Sequence, residues 1–461
     1  MFENVLGQSA ADQLRKDLGA GILAPSMLFF GPPVSGKGTA AIELGRVLSC
    51  EGDAHTVAAG KTASWTCACS ACARHRLLAH PDLLLLGPRS FSGEIAASRA
   101  IFLREKNAPS AQTLFIRAVR KLLVRFSPVL WEDDPKLSKL NPLLQSLEED
   151  LDALPGADEA GREKLSASIV KDALKLEAEG ISDLIPVAQI RRAAYWGRLA
   201  PSGRRKLLVI ENADRMQDGA RNSLLKILEE PPDRLTIVLT SSRREAILPT
   251  LLSRLRPYRF MKRDEKTEAE VIRKVYKENS ADAGQGRSLA FYLDSFLPVP
   301  PESLYPLGAL FAASAAMGAI ETLRRRGGPL SPELSSLTQY AAPIAEAAGL
   351  GRPPERNQEL TAAILAKTEN FELRSLFPRF LGAVLRVVSE AAHAAGDATA
   401  QSGAVAGAAH ATGSPRQIAY NEVWKKCAAE ADAAVGTWNQ SPALALERLI
   451  TGLKTGLAEL A

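Results

Sequence analysis

Cysteine is scarce in this chain of 461 residues: there are five, and four of them precede residue 73. Thiols so few and so local exclude the disulfide framework of a small secreted domain and point to a cluster instead. Long apolar runs are also wanting. We read no stretch of the roughly 18 apolar residues that span a bilayer, and Met1-Phe2-Glu3-Asn4-Val5 carries no signal-peptide pattern. The expected compartment is therefore the cytoplasm, with no membrane partner. A strong charge excess is missing too: Lys and Arg number 57 against 52 Asp and Glu, a net +5. That balance is compatible with touching nucleic acid, but it argues for protein partners first. Ordinary hydrophobic (46%) and charged (24%) contents describe a globular protein, long enough for roughly three domains.

The most informative stretch is Phe29-Phe30-Gly31-Pro32-Pro33-Val34-Ser35-Gly36-Lys37-Gly38-Thr39. An apolar strand runs into a glycine-rich loop that opens a helix. In the pattern G-x-x-x-x-G-K-[ST], loop N–H groups cradle phosphates, the lysine neutralises them, and the last hydroxyl holds Mg²⁺. Here Gly31, Gly36 and Lys37 keep the loop, but Gly38 has no hydroxyl. Thr39, one residue on, points about 100° away on a helix. ATP or ADP could be held; Mg²⁺ is poorly provided for.

Cys50, Cys67, Cys69 and Cys72 follow the loop's helix. Four thiols suit a closed tetrahedral Zn²⁺ site, with His75 as a substitute ligand. The C-x-C spacing is tight, however, since residues one apart tend to point to opposite sides. Two readings stand, structural zinc or a cluster of reduced thiols. Cys427, among helical residues, reads as a core thiol, and His393 and His410 as surface residues.

His80-Pro81-Asp82 leads into a second buried strand, Leu83 to Leu86. Residues 91–182 read as a helical insertion, whose basic run Arg117, Arg120, Lys121 and Arg125 reads first as a solvated amphipathic face and second as a surface that meets DNA or a partner. The strand pattern returns at Lys206 to Ile210 and ends in Glu211-Asn212, where phosphate-loop proteins place a Mg²⁺-binding acid and a water-activating acid. An amide accepts no proton from an attacking water, so the general base is missing. Two readings of Glu211 stand: a lost magnesium ligand, or a longer arm that still reaches the metal. A helix from Gly219 to Glu230 closes at Pro231-Pro232. A strand from Thr236 to Leu239 then ends at Thr240, and a helix from Glu245 to Leu252 leads to Ser253-Arg254.

Taken together these residues resemble the AAA+ subunits of the bacterial DNA polymerase III clamp loader. The resemblance rests on Gly7-Gln8, the loop 31–39, the cysteine cluster, His80-Pro81-Asp82 and Val187-Ala-Gln-Ile-Arg-Arg192. Most specific is Leu224-Leu-Lys-Ile-Leu-Glu-Glu-Pro-Pro232 followed by Ser253-Arg254. It covers about 1–90 and 183–280 strongly and the helical remainder weakly, where the stretch beginning at Trp438 resembles a last collar helix.

The resemblance implies an α/β fold: an AAA+ domain with a parallel sheet over 1–258, a zinc-binding insert at 50–75 and the 91–182 insertion. A helical lid (259–300) and an all-helical collar (301–461) with a flexible loop at 391–414 are expected after it. It matches Lys37 to the loop lysine, Glu211 and Asn212 to the acidic pair, Thr240 to the sensor position and Arg254 to a finger acting on a neighbouring subunit. The departures at Gly38, Glu211 and Asn212 fall on hydrolysis machinery and spare Arg254, which favours a delta-prime-type stator with weak or absent ATPase. The expected partners are clamp-loader motor and delta subunits and the sliding clamp in a hetero-oligomer, with primer-template DNA met through the assembly. The rival readings are a gamma/tau-type ATPase motor and an AAA+ module of another DNA process, such as helicase loading.

Overall fold

A computed structural model describes residues 1–52, 63–105, 108–278, 288–297, 299, 301–329, 331–369, 376–401, 415–436 and 440–460. They form two units, Met1–Leu297 and Pro298–Ala461.

The first unit is built on a five-stranded parallel sheet in the order β2-β3-β4-β1-β5. Its strands are β1 (Ser26–Phe30), β2 (Leu83–Leu86), β3 (Lys206–Ile210), β4 (Leu235–Ser241) and β5 (Arg256–Arg259). Their near-continuous apolar runs suit strands buried on both faces. Side chains alternate between the faces. Met27, Phe29, Leu83, Leu85, Leu207, Val209 and Val238 pack with α1 (Ser9–Gly19) and α2 (Lys37–Ser49). Leu28, Leu84, Leu86, Leu208, Ile210, Ile237 and Leu239 belong to the opposite core. β5 was not foreseen: only Tyr258 in its Arg-Pro-Tyr-Arg sequence is buried. It lies at the sheet edge, where a proline's missing donor is tolerated.

After α3 (Ser70–Arg76), the helical stretch expected at 91–182 holds α4 (Ser92–Arg104), α5 (Pro109–Leu123), α6 (Pro135–Ala153) and α7 (Glu159–Gly180). Its Phe115, Val119, Leu122, Leu147, Ile169 and Leu176 are buried in the second core together with Ile190 of α8 (Val187–Arg198) and Leu224 of α9 (Asp218–Glu229). The segment is part of the sheet's cover. Where one helix was expected over 245–252, the chain makes a 3₁₀ turn, Arg244–Ala246, and a short α10, Pro249–Leu252, because Pro249 sits at the first turn of the latter. Two small helices, α11 (Glu265–Val275) and α12 (Leu289–Asp294), share a core of Val271, Ile272, Leu289 and Tyr292. Arg104 of α4 reaches them, donating to the Tyr276 carbonyl at 2.8 Å and pairing with Glu278.

The second unit is helical over its described residues: α13 (Pro301–Arg325), α14 (Pro332–Ala347), α15 (Asn357–Lys367), α16 (Leu376–Gln401), α17 (Pro415–Gly436) and α18 (Pro442–Glu459). The reading of a loop from 391 is corrected, since α16 continues to Gln401; residues 402–414, with His410, lie outside the described residues, as does Trp438. The reading that no apolar stretch reaches spanning length is corrected as well. The helical stretch Glu302–Arg325 is long and apolar enough by length and composition, with 67% of that window buried. Ala309 through Ala313, Ala315 and Ala316 are packed into the helical core. That burial makes α13 a core helix of this unit.

Candidate functional site

Parallel pairing sets the C-terminal ends of β1, β3 and β4 side by side, with Phe30 opposite Ser241 and Ile210 opposite Leu239. This is the end of an open α/β sheet at which ligands bind. Gly31 leaves β1 at φ 150°, and a Cβ there would collide with the Phe260 carbonyl oxygen, so the position demands glycine. Gly36 follows in a left-handed conformation, φ 93°, and caps α2.

Lys37 does not reach outward. Its ammonium donates to the carbonyls of Gly31 (2.7 Å) and Pro32 (2.5 Å) and to the Ser35 hydroxyl (3.3 Å), which engages all three of its N–H groups. Burial pulls its pKa down to about 8 against the opposing charges of Asp214 and Glu211. Arg263, also buried, crosses the loop, donating to the Val34 carbonyl at 2.7 Å.

At residue 38, sequence and structure explain each other. A Cβ on Gly38 would run into the Glu211 carboxylate. That carboxylate is bonded by Arg125, and Lys121 Nζ lies 3.7 Å from its other oxygen. Arg125 is 3% exposed. Burial alone would raise the Glu211 carboxyl, but Lys121 and Arg125 outweigh it and hold the pKa below the usual range. The basic run of α5 and of the 3₁₀ turn Val124–Phe126 after it is thus not a solvated face, a correction to the sequence reading. Arg125 and Lys121 turn inward to Glu211, Arg117 donates to the Arg76 carbonyl (2.5 Å), and Arg120 lies 3.7 Å from Asp152.

Asn212 adopts φ 49°, ψ 54° at the turn leaving β3, a left-handed conformation that Asn tolerates better than most residues. Its backbone N–H donates to the Thr240 hydroxyl at 3.1 Å. Asp214, which the sequence reading passed over, is buried and accepts from the Ser241 hydroxyl (2.8 Å) and from Arg243 (3.2 Å). Thr39 is exposed. Gly31, Gly36, Lys37, Gly38, Glu211 and Asp214 thus share one neighbourhood, but this geometry does not fit a loop-bound magnesium: the hydroxyl is absent and the carboxylate is taken by the chain's own cations.

Arg254 stands apart at the end of α10. Its guanidinium donates to the Thr250 carbonyl (2.7 Å) and to Glu229 (2.8 Å), with the side chain 34% exposed.

Cys50, Cys67, Cys69 and Cys72 converge, their sulfurs all within 4.8 Å of one another. Cys50 Sγ lies 3.6 Å from that of Cys67 and 4.0 Å from that of Cys69, close to the about 3.8 Å edge of a tetrahedron with 2.3 Å Zn–S bonds. The tight spacing is no obstacle, because Cys67 lies in a turn and Cys69 caps α3, accepting from the Cys72 N–H at 3.4 Å. Against the upward push of burial, backbone N–H groups of Cys72, Glu51 and Gly52 bring the Cys69 thiol down to about 6. These donors fit zinc. His75 is not among them; it stacks on His80 at 4.1 Å between centroids, a correction to its reading as a substitute ligand. Arg46 of α2 ties the cluster to the loop's helix, donating to Cys72 Sγ (3.2 Å) and pairing with buried Glu43 (2.6 Å).

Fold and site define an α/β protein with a phosphate-type loop and a four-cysteine centre. The family described as DNA polymerase III, delta subunit, matches residues 157–264. DNA polymerase III subunit delta' of Pseudomonas aeruginosa is 36% identical over 91 residues, covering 20% of this chain and 28% of that one. DNA polymerase III subunit gamma/tau of Mycobacterium bovis is 24% identical over 107 residues, 23% of this chain and 18% of the relative. A solved gamma subunit-related protein of Thermotoga maritima aligns over 59% of this chain and 80% of its own at 17% identity, with a TM-score of 0.27. Over part of its length the chain is thus similar to DNA polymerase III delta-type and gamma/tau subunits. It spans less than a third of the length of either curated relative.

Proposed function

We propose that this chain is an accessory, stator-type subunit of a DNA polymerase III clamp loader, which joins motor subunits to load the sliding clamp on primed DNA. In this reading it is a zinc-bearing AAA+ protein of a hetero-oligomer, and Arg254 completes a neighbour's ATP site. An arginine supplied across a subunit boundary stabilises charge on the transferring phosphoryl, an effect of about 10³–10⁵ in rate. One observation carries the reading: Glu211 is held by Arg125 and Lys121 beside a loop that lacks its hydroxyl. Hydrolysis therefore belongs to another subunit. The 24% identity to a gamma/tau subunit keeps a motor as the second reading.

The experiment is steady-state ATP hydrolysis by the purified chain, alone and with primed DNA and clamp, beside Lys37→Ala. Turnover equal to the control supports the stator. Turnover lost in the control makes the chain a motor.

A further inference from the structure

The loop neighbourhood has more cationic side chains than its ancestry requires. A phosphate loop ordinarily brings one lysine and borrows the rest of its positive charge from a divalent metal held by the loop hydroxyl and an acid at the end of the neighbouring strand. Here the acid is present as Glu211, and two cations from the inserted helices already stand on it. Arg125 bonds one carboxylate oxygen and Lys121 lies 3.7 Å from the other. The carboxylate abuts Gly38, where the hydroxyl-bearing residue would be. Lys121 also donates to Glu94, at 3.1 Å, and Arg125 lies 5.4 Å from the centre of the Phe91 ring.

We propose that Lys121 and Arg125 are a built-in substitute for the divalent cation of this loop, so that the site excludes Mg²⁺. The charge account favours the fixed pair. A metal arriving at Glu211 meets two positive side chains within ion-pair distance and finds that carboxylate already bonded, with no loop hydroxyl beside it. It would have to displace a buried guanidinium and leave that charge without its partner, a costly outcome in a low-dielectric interior. Gly38 follows from the same arrangement, since any side chain there would strike the carboxylate the pair holds. The insertion is then the element that decides what this loop accepts. The inference shares with the stator reading the observation that Arg125 and Lys121 hold Glu211, but it stands or falls independently of whether Arg254 serves a neighbour.

The test uses the full chain with its cysteine site loaded with zinc, and Mn²⁺ as the probe, followed by loss of the free-ion EPR signal. Wild type is expected to match Glu211→Gln, with no Glu211-dependent Mn²⁺ bound. The double variant Lys121→Gln/Arg125→Gln is expected to bind about one Mn²⁺ per chain, as a freed carboxylate site would, and to lose it when Glu211→Gln is added. Arg125 is buried, so the double variant can fail to fold, and a thermal melt reports that. Lys121→Gln, at a side chain 19% exposed, is the second variant. It is expected to show Glu211-dependent Mn²⁺ binding that wild type lacks, weaker than that of the double variant because one of the two like charges remains. Glu211-dependent Mn²⁺ binding by wild type overturns the proposal. Folded variants that bind no more Mn²⁺ than wild type overturn it too, leaving the cations as a fold contact only.

Discussion

Arg254 and Glu229 form an ion pair at 2.8 Å, joining two motifs that lie 25 residues apart in sequence. Glu229 closes α9 just before Glu230-Pro231-Pro232, and Arg254 follows α10. The acid orients the arginine within its own chain, and both groups face solvent enough for a neighbour to compete for the guanidinium.

Arg254→Ala should therefore cost the isolated chain at most about 1 kcal/mol, as exposed pairs do. In the assembled loader, the proposed role predicts a loss of about 10³-fold or more in hydrolysis at the one site it completes. Urea unfolding of the chain and single-turnover hydrolysis in the complex separate the two effects. Equal losses in both would make Arg254 a fold residue.

Restoring the missing hydroxyl should not restore a motor. Gly38→Thr drives a side chain into the Glu211 carboxylate, and overpacking of this kind costs about 1–3 kcal/mol. The expected result is a lower melting temperature with ATP turnover still at the level of Lys37→Ala. Removing the acid should cost more, because Glu211→Gln leaves the buried Arg125 without its counter-charge, and breaking a buried pair costs about 3–5 kcal/mol. Denaturant melts of the two variants rank them.

Metal analysis of chain purified without chelator should give about one zinc per chain, the content of a closed four-thiolate site. Cys72→Ser should lose it and melt earlier, because metal binding is coupled to folding. Arg46 touches both Cys72 and Glu43, so the disturbance should reach the loop's helix, seen as faster amide exchange in α2. Full stability without metal would mean that the thiols are vestigial.

The pH dependence of stability carries a Lys37 signature. Its folded pKa, about 8, lies below the 10.5 of an ordinary lysine. Between those values the unfolded chain binds the proton and the folded chain does not, so stability rises with pH through that window. Below about pH 8 both states are protonated and the slope disappears. Lys37→Met should flatten the rise when wild type and variant are compared from pH 7.5 to 10.5 by urea melts. Parallel curves would show that Lys37 keeps its ordinary pKa.

The fold was legible where burial writes itself into composition. β1 and β3 are apolar runs followed by Gly31 and Glu211, β4 is one that ends in Thr240-Ser241, and the four-cysteine cluster is visible from spacing alone. β5 was not, because an edge strand needs one buried side chain, and Tyr258 is surrounded by Arg256, Pro257 and Arg259. The candidate site was half legible. Loop, acid and amide could be named, but the destination of Lys121 and Arg125 could not. A cationic amphipathic helix looks the same whether its charges meet water or a carboxylate 86 residues further along the chain. Asn212 was read through the chemistry it lacks, whereas its left-handed backbone gives the position a conformational reason of its own. His75 looked like a ligand by sequence proximity, and ring stacking turned it elsewhere.

The two ends of the inserted helices meet. The Arg89 N–H donates to the Ser182 carbonyl at 3.3 Å, its guanidinium lies 2.9 Å from Asp183, and the Phe91 N–H donates to Glu177 at 2.9 Å. The segment between them leaves and rejoins the scaffold at nearly one point, like a cassette plugged into a single socket. A short turn could bridge that gap, and the closure entropy, about 0.6 kcal/mol per halving of loop length, favours the shorter connection, so connectivity is no barrier to exchanging the segment. What resists exchange is its cargo, the buried face of the second core and the two cations it delivers to Glu211.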